Sequence, residues 1–572
     1  MSSEISAWRS VRTGRIPRRR LFRGAALGGL GTAASVALAC STRGGTGSSQ
    51  QSANAGGAAK QPKSGGVLNH ATGTAGGFDT LGLGFDPHTQ GQSTDQSFTL
   101  FYERLLGYNP LTYKVEPEIG QKWEQISPTE LRFSLQPGVK WQKKPPVDGR
   151  ALTTDDILYS FQRVQTNDPK FVNRSLLSFV DKIEAPDKST IRITTKAPNA
   201  STLITLSHDA LAIVAKEMIE KYPKPVSADQ VVGTGGFVMS SIEEKVGGDY
   251  ARNPDYWKPG RPYLDRVRTR QFNDLLTAWS AFQSAQIDVA LLPGTEVPDY
   301  VAKQGPGYTP PWFPDYTVSI CIPNLRMKPF DDARVVRALR LLIDHDEFIT
   351  AWANPQYGHG GIGSVFPASL SAWDLTEAEY RSYVEWKNPK DDAAKEALTL
   401  LSAAGYSRDN PVRFTLNAVN KDHDQAAAEL LQAQWKRVSQ GAADAQIKLA
   451  DTATAQDIRA ARSFGWGNYG ISPGMPEPDA WLTSCYRTGG SQNYSGFSDP
   501  QVDAMIDKQR GIFDETQRKS VVRDIIKYMI DHGPNTIGAT RYFLTAVNPK
   551  VQGFTPEYYL NGRMYQQVWM SL

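Results

Sequence analysis

An α/β or α+β protein of two lobes is the fold this sequence predicts, on three observations. Strand and helix patterns are interspersed along the whole chain, so the two element types share one architecture. Once a non-globular N-terminus is set aside, about 500 residues remain. That is more than one hydrophobic core usually supports, so at least two lobes are expected. No segment repeats with a period of roughly 20–50 residues, which argues against a solenoid or propeller.

In chain order, Leu131, Phe133 and Leu135 alternate with polar residues and read as a half-buried strand. Thr153 precedes a helix whose third residue, Asp156, can return a hydrogen bond, a capping-box start. Ile191 and Ile193 read as a further strand. Gly233-Thr234-Gly235-Gly236-Phe237 resembles a phosphate-cradling loop, but Val238-Met239-Ser240 continues as strand and no lysine follows, so a structural turn is favoured. Val318, Ile320 and Ile322 form another strand, and Asp331 heads a helix carrying Val335, Val336, Leu339 and Leu342. Gly358 to Gly363 reads as a glycine-rich loop presenting His359. Asp391 heads a helix that stops at Gly405, which suits the left-handed residue after a C-terminus.

Residues 465–481, GWGNYGISPGMPEPDAW, hold four glycines and three prolines yet also Trp466, Tyr469 and Trp481, so they read as a surface loop with large aromatics. Val521, Val522, Ile525, Ile526, Met529 and Ile530 form one buried face of a long helix. His345 and His532 fall inside helical patterns and read as structural.

Residues 1–39 are an export address. An arginine pair within Pro17-Arg18-Arg19-Arg20-Leu21-Phe22-Arg23 precedes a mildly apolar run, Gly24 to Ala39, the pattern of a twin-arginine signal peptide. That run is too short and too weakly apolar for a membrane span. Ala37-Leu38-Ala39 sets a cleavage site just before Cys40, which points to lipid attachment at Cys40; ordinary cleavage leaving an incidental cysteine is the alternative. Residues 40–64, rich in Ser, Gly, Thr, Gln and Ala, then act as a flexible tether of roughly 27 Å.

The signal holds seven of the 63 basic residues and one of the 59 acids, leaving 56 basic and 58 acidic residues, a formal −2. The basic character of the precursor therefore says nothing about nucleic acid, and no basic patch with interleaved aromatics appears. Cys321 and Cys485, with Cys40, are too few for a disulfide scaffold; whether they pair stays open. No His-Glu-x-x-His, Gly-x-Ser-x-Gly, P-loop or EF-hand pattern is present, so no catalytic residue, metal or cofactor is expected. Paired carboxylates for glycan hydrolysis remain open, because their spacing is spatial.

Several blocks resemble one family, the extracellular solute-binding proteins of ABC importers of the peptide/nickel type, family 5. Phe85-Asp86-Pro87-His88 and Phe101-Tyr102-Glu103-Arg104-Leu105-Leu106 are similar to its Leu-Asp-Pro and Tyr-Glu-x-Leu elements. Leu131 to Trp141, with Leu152-Thr153-Thr154-Asp155-Asp156 and Tyr159-Ser160-Phe161, resembles its most recognisable block. Gly233 to Phe237 stands where the family has Gly-Thr-Gly-Pro-Tyr, followed by Arg252-Asn253-Pro254-Asp255-Tyr256-Trp257. Ile287-Asp288-Val289-Ala290, Pro329 to Leu339 and Ala403-Ala404-Gly405-Tyr406 complete the likeness, which runs over most of residues 65–572.

The resemblance implies a two-lobed, periplasmic-binding-protein-like α/β fold with crossings near residues 312 and 535. Lobe I would comprise 65–110, 231–312 and 535–572 with an inserted subdomain at 111–230, and lobe II 313–534. Ligand would lie in the cleft between them. In peptide-binding members an Asp three residues after the Trp of the Gly-Trp pair meets the ligand's amino group; here that position is Tyr469. Glu477 or Asp479 could replace that carboxylate only by folding back. The expected ligand-binding residues are Phe85, His359, Trp466, Asn468, Tyr469 and Trp481.

The implied protein is a monomeric, non-enzymatic lipoprotein outside the cytoplasmic membrane, periplasmic or anchored through Cys40. It would capture a small-molecule or peptide ligand and deliver it to an ABC permease and ATPase complex, without nucleic acid. An exported hydrolase of peptides or glycans and a solute-sensing lipoprotein are the rival readings.

Overall fold

The computed structural model describes residues 61–571 apart from 73–83, 90–96, 110–111, 306–307, 473–474, 535–537, 556–561 and positions 167, 169, 172, 273, 309, 311, 358 and 364. The signal peptide, Cys40 and most of the tether lie outside the described residues.

Nineteen strands are described: β1 (Val67–Thr72), β2 (Leu106–Tyr108), β3 (Val115–Pro117), β4 (Gly120–Ser127), β5 (Glu130–Leu135), β6 (Val180–Asp187), β7 (Thr190–Thr195), β8 (Phe237–Glu243), β9 (Gly247–Arg252), β10 (Arg266–Gln271), β11 (Val289–Leu291), β12 (Trp312–Pro323), β13 (His359–Gly363), β14 (Val412–Val419), β15 (Ala443–Ala450), β16 (Trp466–Ile471), β17 (Gly538–Val547), β18 (Val551–Gln552) and β19 (Trp569–Met570). Eleven of them form one sheet: ten in the order β15-β14-β16-β12-β17-β11-β1-β10-β9-β8, and β13, off that path, paired to β17. A separate four-stranded sheet, β4-β5-β7-β6, falls within the span expected for an inserted subdomain.

Helices used below are α1 (Phe98–Phe101), α2 (Thr154–Gln165), α3 (Ala333–Leu341), α4 (His345–Tyr357), α5 (Asp391–Ala403), α6 (Asp422–Val438), α7 (Pro500–Arg510) and α8 (Glu515–His532). Local chemistry explains their ends. At α2 the Thr153 amide donates to Asp156 at 2.8 Å, completing the expected capping box. At α3 the cap is Asp332, one residue later than expected, because its carboxylate accepts the Arg334 amide at 2.9 Å. Beyond α5, Gly405 has φ +87, as its place after the helix requires.

The apolar residues gather into three large cores. One draws on residues 68–289 and 551–570. The other two draw on residues 318–539 and lie on opposite faces of β12, because Cys321 belongs to one while Val318 and Ile322 belong to the other. Strands covered on both faces carry near-continuous apolar runs, so alternation alone could not assign their sides.

The blocks that carry the family likeness build this frame. Asp86 pairs with Arg163, and the His88 ring meets the Ala212 carbonyl at 2.8 Å. Glu103 accepts from the Tyr256 hydroxyl at 2.7 Å and from the Trp257 indole at 2.8 Å, tying two distant motifs together. Asp156 receives Arg150 at 2.6 Å, and Arg340 meets Glu385 at 3.0 Å. The Gly233–Phe237 turn is structural, as expected: a Cβ on Gly233 would lie 1.7 Å from the Phe101 carbonyl oxygen.

Candidate functional site

The two long strands β12 and β17 run antiparallel through the middle of the sheet, pairing Trp312 with Leu544 and Ile320 with Gly538. They carry the chain from the core built of 68–289 to the cores built of 318–539. Their register shifts between Pro314 and Val318, an interruption at which the crossing strand can bend. β16 lies along β12, setting Tyr469 opposite Ile320 and Asn468 opposite Cys321, while β13 lies along β17 with His359 opposite Tyr542. His359 is therefore in a strand rather than the expected loop, and the side chains of His359 and Tyr469 lie outside the described residues.

The other residues expected to meet ligand are differently placed. Trp466 is fully buried, ringed by Trp435 at 5.2 Å, Phe330 at 5.4 Å and Phe414 at 6.2 Å between ring centroids. Asn468 shares that face of β16, and its amide nitrogen lies 3.4 Å from the Asp424 carbonyl. Trp481 is 1% exposed, its indole N–H donating to the Met475 carbonyl at 3.3 Å. Phe85 packs edge-on against Phe98 and Phe101, each at 6.3 Å. These four side chains sit in packed surroundings, the three aromatics because an aromatic in a loop-like sequence buries its area wherever a neighbouring element offers a wall. Glu477 and Asp479 are also committed: Glu477 pairs with Arg518, and Asp479 accepts from Arg510 at 2.8 Å. Both carboxylates are held by arginines, Arg510 at the end of α7 and Arg518 in α8.

Beside the crossing strands the structure assembles a group that sequence reasoning missed. The Arg541 guanidinium, on β17, lies 4.5 Å from the Trp352 ring centre, and Trp352 meets His423 edge-on at 6.0 Å. Burial, and then Arg541 and Lys421, push His423 down to about 3, so its imidazole is neutral. Burial lifts the neighbouring Asp424 to about 6 against the opposing pull of Lys421. A lone arginine within an otherwise uncharged strand, GATRYFLTAV, was the signal for this group. It offers one guanidinium, a neutral imidazole and a carboxyl group poised near neutrality, suited to hydrogen bonding. Among the described residues no group of three His, Cys, Asp or Glu is placed to hold a metal ion, and no helix is long and apolar enough to cross a membrane.

Two sets of cores joined by crossing strands define a class, the two-lobed binding proteins whose ligand cleft lies between the lobes. The chain matches the model of bacterial extracellular solute-binding proteins, family 5 Middle, over residues 114–493, and it belongs to that family. It is 26% identical to Heme-binding protein A of Haemophilus influenzae, across 82% of this chain and 88% of that one. To the Dipeptide-binding protein of Escherichia coli it is 24% identical, across 82% and 90%. Among solved structures it is similar to AgaA of A. tumefaciens R10 in complex with agropinic acid, with TM-score 0.69, 22% identity and coverage of 89% and 99%. The likeness to DppA of Helicobacter pylori in complex with peptide STSA has TM-score 0.68, 21% identity and the same coverage. These neighbours share the fold.

Proposed function

We propose that this chain is the substrate-binding lipoprotein of an ABC importer, exported by the twin-arginine route and tethered through Cys40. It captures a small organic solute, peptide-like or otherwise, and hands it as a monomer to a membrane permease driven by an ATPase. Residues 65–110, 231–312 and 535–572 act as lobe I with 111–230 inserted, and 313–534 as lobe II. The observation that carries the reading is the β12–β17 crossing within a family 5 chain: strands that bend between two sets of cores let the lobes close on a guest. A ligand that contacts both lobes stabilises the closed state over the open one.

Tyr469 refines the ligand class. Where peptide-binding members place an aspartate, an aromatic residue supplies no counter-charge, and an ammonium brought into the cleft without one costs several kcal/mol. Relatives named for heme and for dipeptides, and a neighbour holding agropinic acid, mark the range to screen. The test is mass spectrometry of small molecules that co-purify with the protein, followed by thermal shifts with free and N-acetylated dipeptides, agropinic acid and hemin. A true ligand raises the melting temperature as its concentration passes its dissociation constant. Tight binding of free-amine peptides with rejection of acetylated ones would overturn the Tyr469 argument. Solute released in cleaved form would overturn transport itself.

A further inference from the structure

The segment after β16 holds two buried carboxylates, each paired with an arginine. Glu477 forms an ion pair with Arg518 of α8 and accepts the Asp479 amide at 3.0 Å. Arg518 Nε donates to Gln509 at 2.8 Å, and Gln509 donates to Asp479 at 2.6 Å. All members of this ring come from residues 477–518. Into it enters a corner from much earlier in the chain. Ser201 Oγ donates to Glu477 at 3.0 Å and accepts from Arg518 Nη2 at 3.0 Å, while the Ala200 amide donates to the Arg510 carbonyl at 2.8 Å. Asn199 accepts the Ser201 amide at 2.9 Å and so shapes the corner. Ser201, Glu477 and Arg518 are each no more than 5% exposed.

We propose that Asn199–Ser201 and the Glu477–Arg518 pair form a latch that docks when the halves of the molecule close, an inference that rests on the binding-protein reading above. The asymmetry of the contact supports it. Arg518 and Glu477 remain paired, and Gln509 remains bonded, when Ser201 leaves, so withdrawal strands no buried charge. Ser201 adds one hydroxyl and Ala200 one amide, groups that water satisfies on release. A permanent weld between halves would be expected to carry a buried apolar seam, whereas each contact named here is an exchangeable hydrogen bond. Glu477 and Asp479 are then held for closure, and Ser201 is a positioning residue for capture.

Hydrogen exchange and small-angle scattering on the full chain test the latch. The Ala200 amide is expected to exchange at least about tenfold faster than that of Phe133 in β5, because it is released by local opening. Ser201→Asp sets a carboxylate against Glu477; it should speed exchange at Ala200 further and raise the radius of gyration. Ser201→Asp with Glu477→Gln, which leaves the new carboxylate facing Arg518, should restore both. Protection of Ala200 equal to that of Phe133, or a folded Ser201→Asp protein unchanged in both readouts, would overturn the proposal. If Ser201→Asp does not fold, Ser201→Ala is read the same way, and unchanged exchange at Ala200 has the same force. Absence of any bound solute in the co-purification assay bears on the import reading alone, so the two failures are distinguishable.

Discussion

Trp466 sits among Phe330, Phe414 and Trp435 with no exposed surface, so its contribution is packing. Trp466→Ala should cost about 3–5 kcal/mol, read from the urea midpoint, with solute affinity of the folded fraction unchanged. The two thiols are settled in the same way. No bridge joins Cys321 and Cys485, which lie in different cores, and burial pushes both thiols up. Neither should react with a maleimide until denaturant is added. Asp374 gives a pH signature. Burial lifts its carboxyl from 3.8 to about 7, while Tyr380 donates to it. With the folded value above the unfolded one, its share of stability is full below about pH 4 and is lost as pH rises to about 7. Asp374→Asn should therefore match wild type near pH 4 and exceed it at pH 8 by a margin on the order of a few kcal/mol, measured by denaturant titration.

Elements whose ends are marked by local chemistry were legible. The capping box of α2, the stop at Gly405 and the apolar face of α8 all depend on residues within a turn or two of one another. β13 was not, because its strand conformation is imposed by pairing with β17 far along the chain; Gly360 and Gly361 favour a loop by themselves. The Gly233 turn is decided by close approach to α1. Gly233→Ala would drive a methyl into the Phe101 carbonyl, and neither atom is the free end of a side chain. A loss on the order of 3 kcal/mol or failure to fold is expected, whereas Gly138→Ala, with φ +75 but open space around it, should cost about 1 kcal/mol. Thermal melts of the two variants make the comparison; equal losses would show that the Phe101 contact yields easily.

At the scale of the whole molecule, separate cores linked by β12 and β17 predict unfolding in more than one step. Calorimetry is expected to resolve at least two transitions, and saturating ligand to raise and merge them by coupling the halves. A single transition with equal calorimetric and van't Hoff enthalpies would contradict that picture.

The linear order of residues determined the family and the two-lobed α/β plan, because frame motifs such as Asp86, Glu103 and Asp156 recur with recognisable neighbours. It also shows an aromatic, Tyr469, three residues after Trp466, the feature on which the proposed ligand class rests. Only the tertiary structure decided which aromatics are core, that Glu477 and Asp479 are occupied by Arg518 and Arg510, and that Ser201 reaches Glu477 across 276 positions of chain. The physical reason is covering on both faces: when either side of a strand or loop can be buried, residue type no longer tells inside from cleft, and only the packed neighbours do.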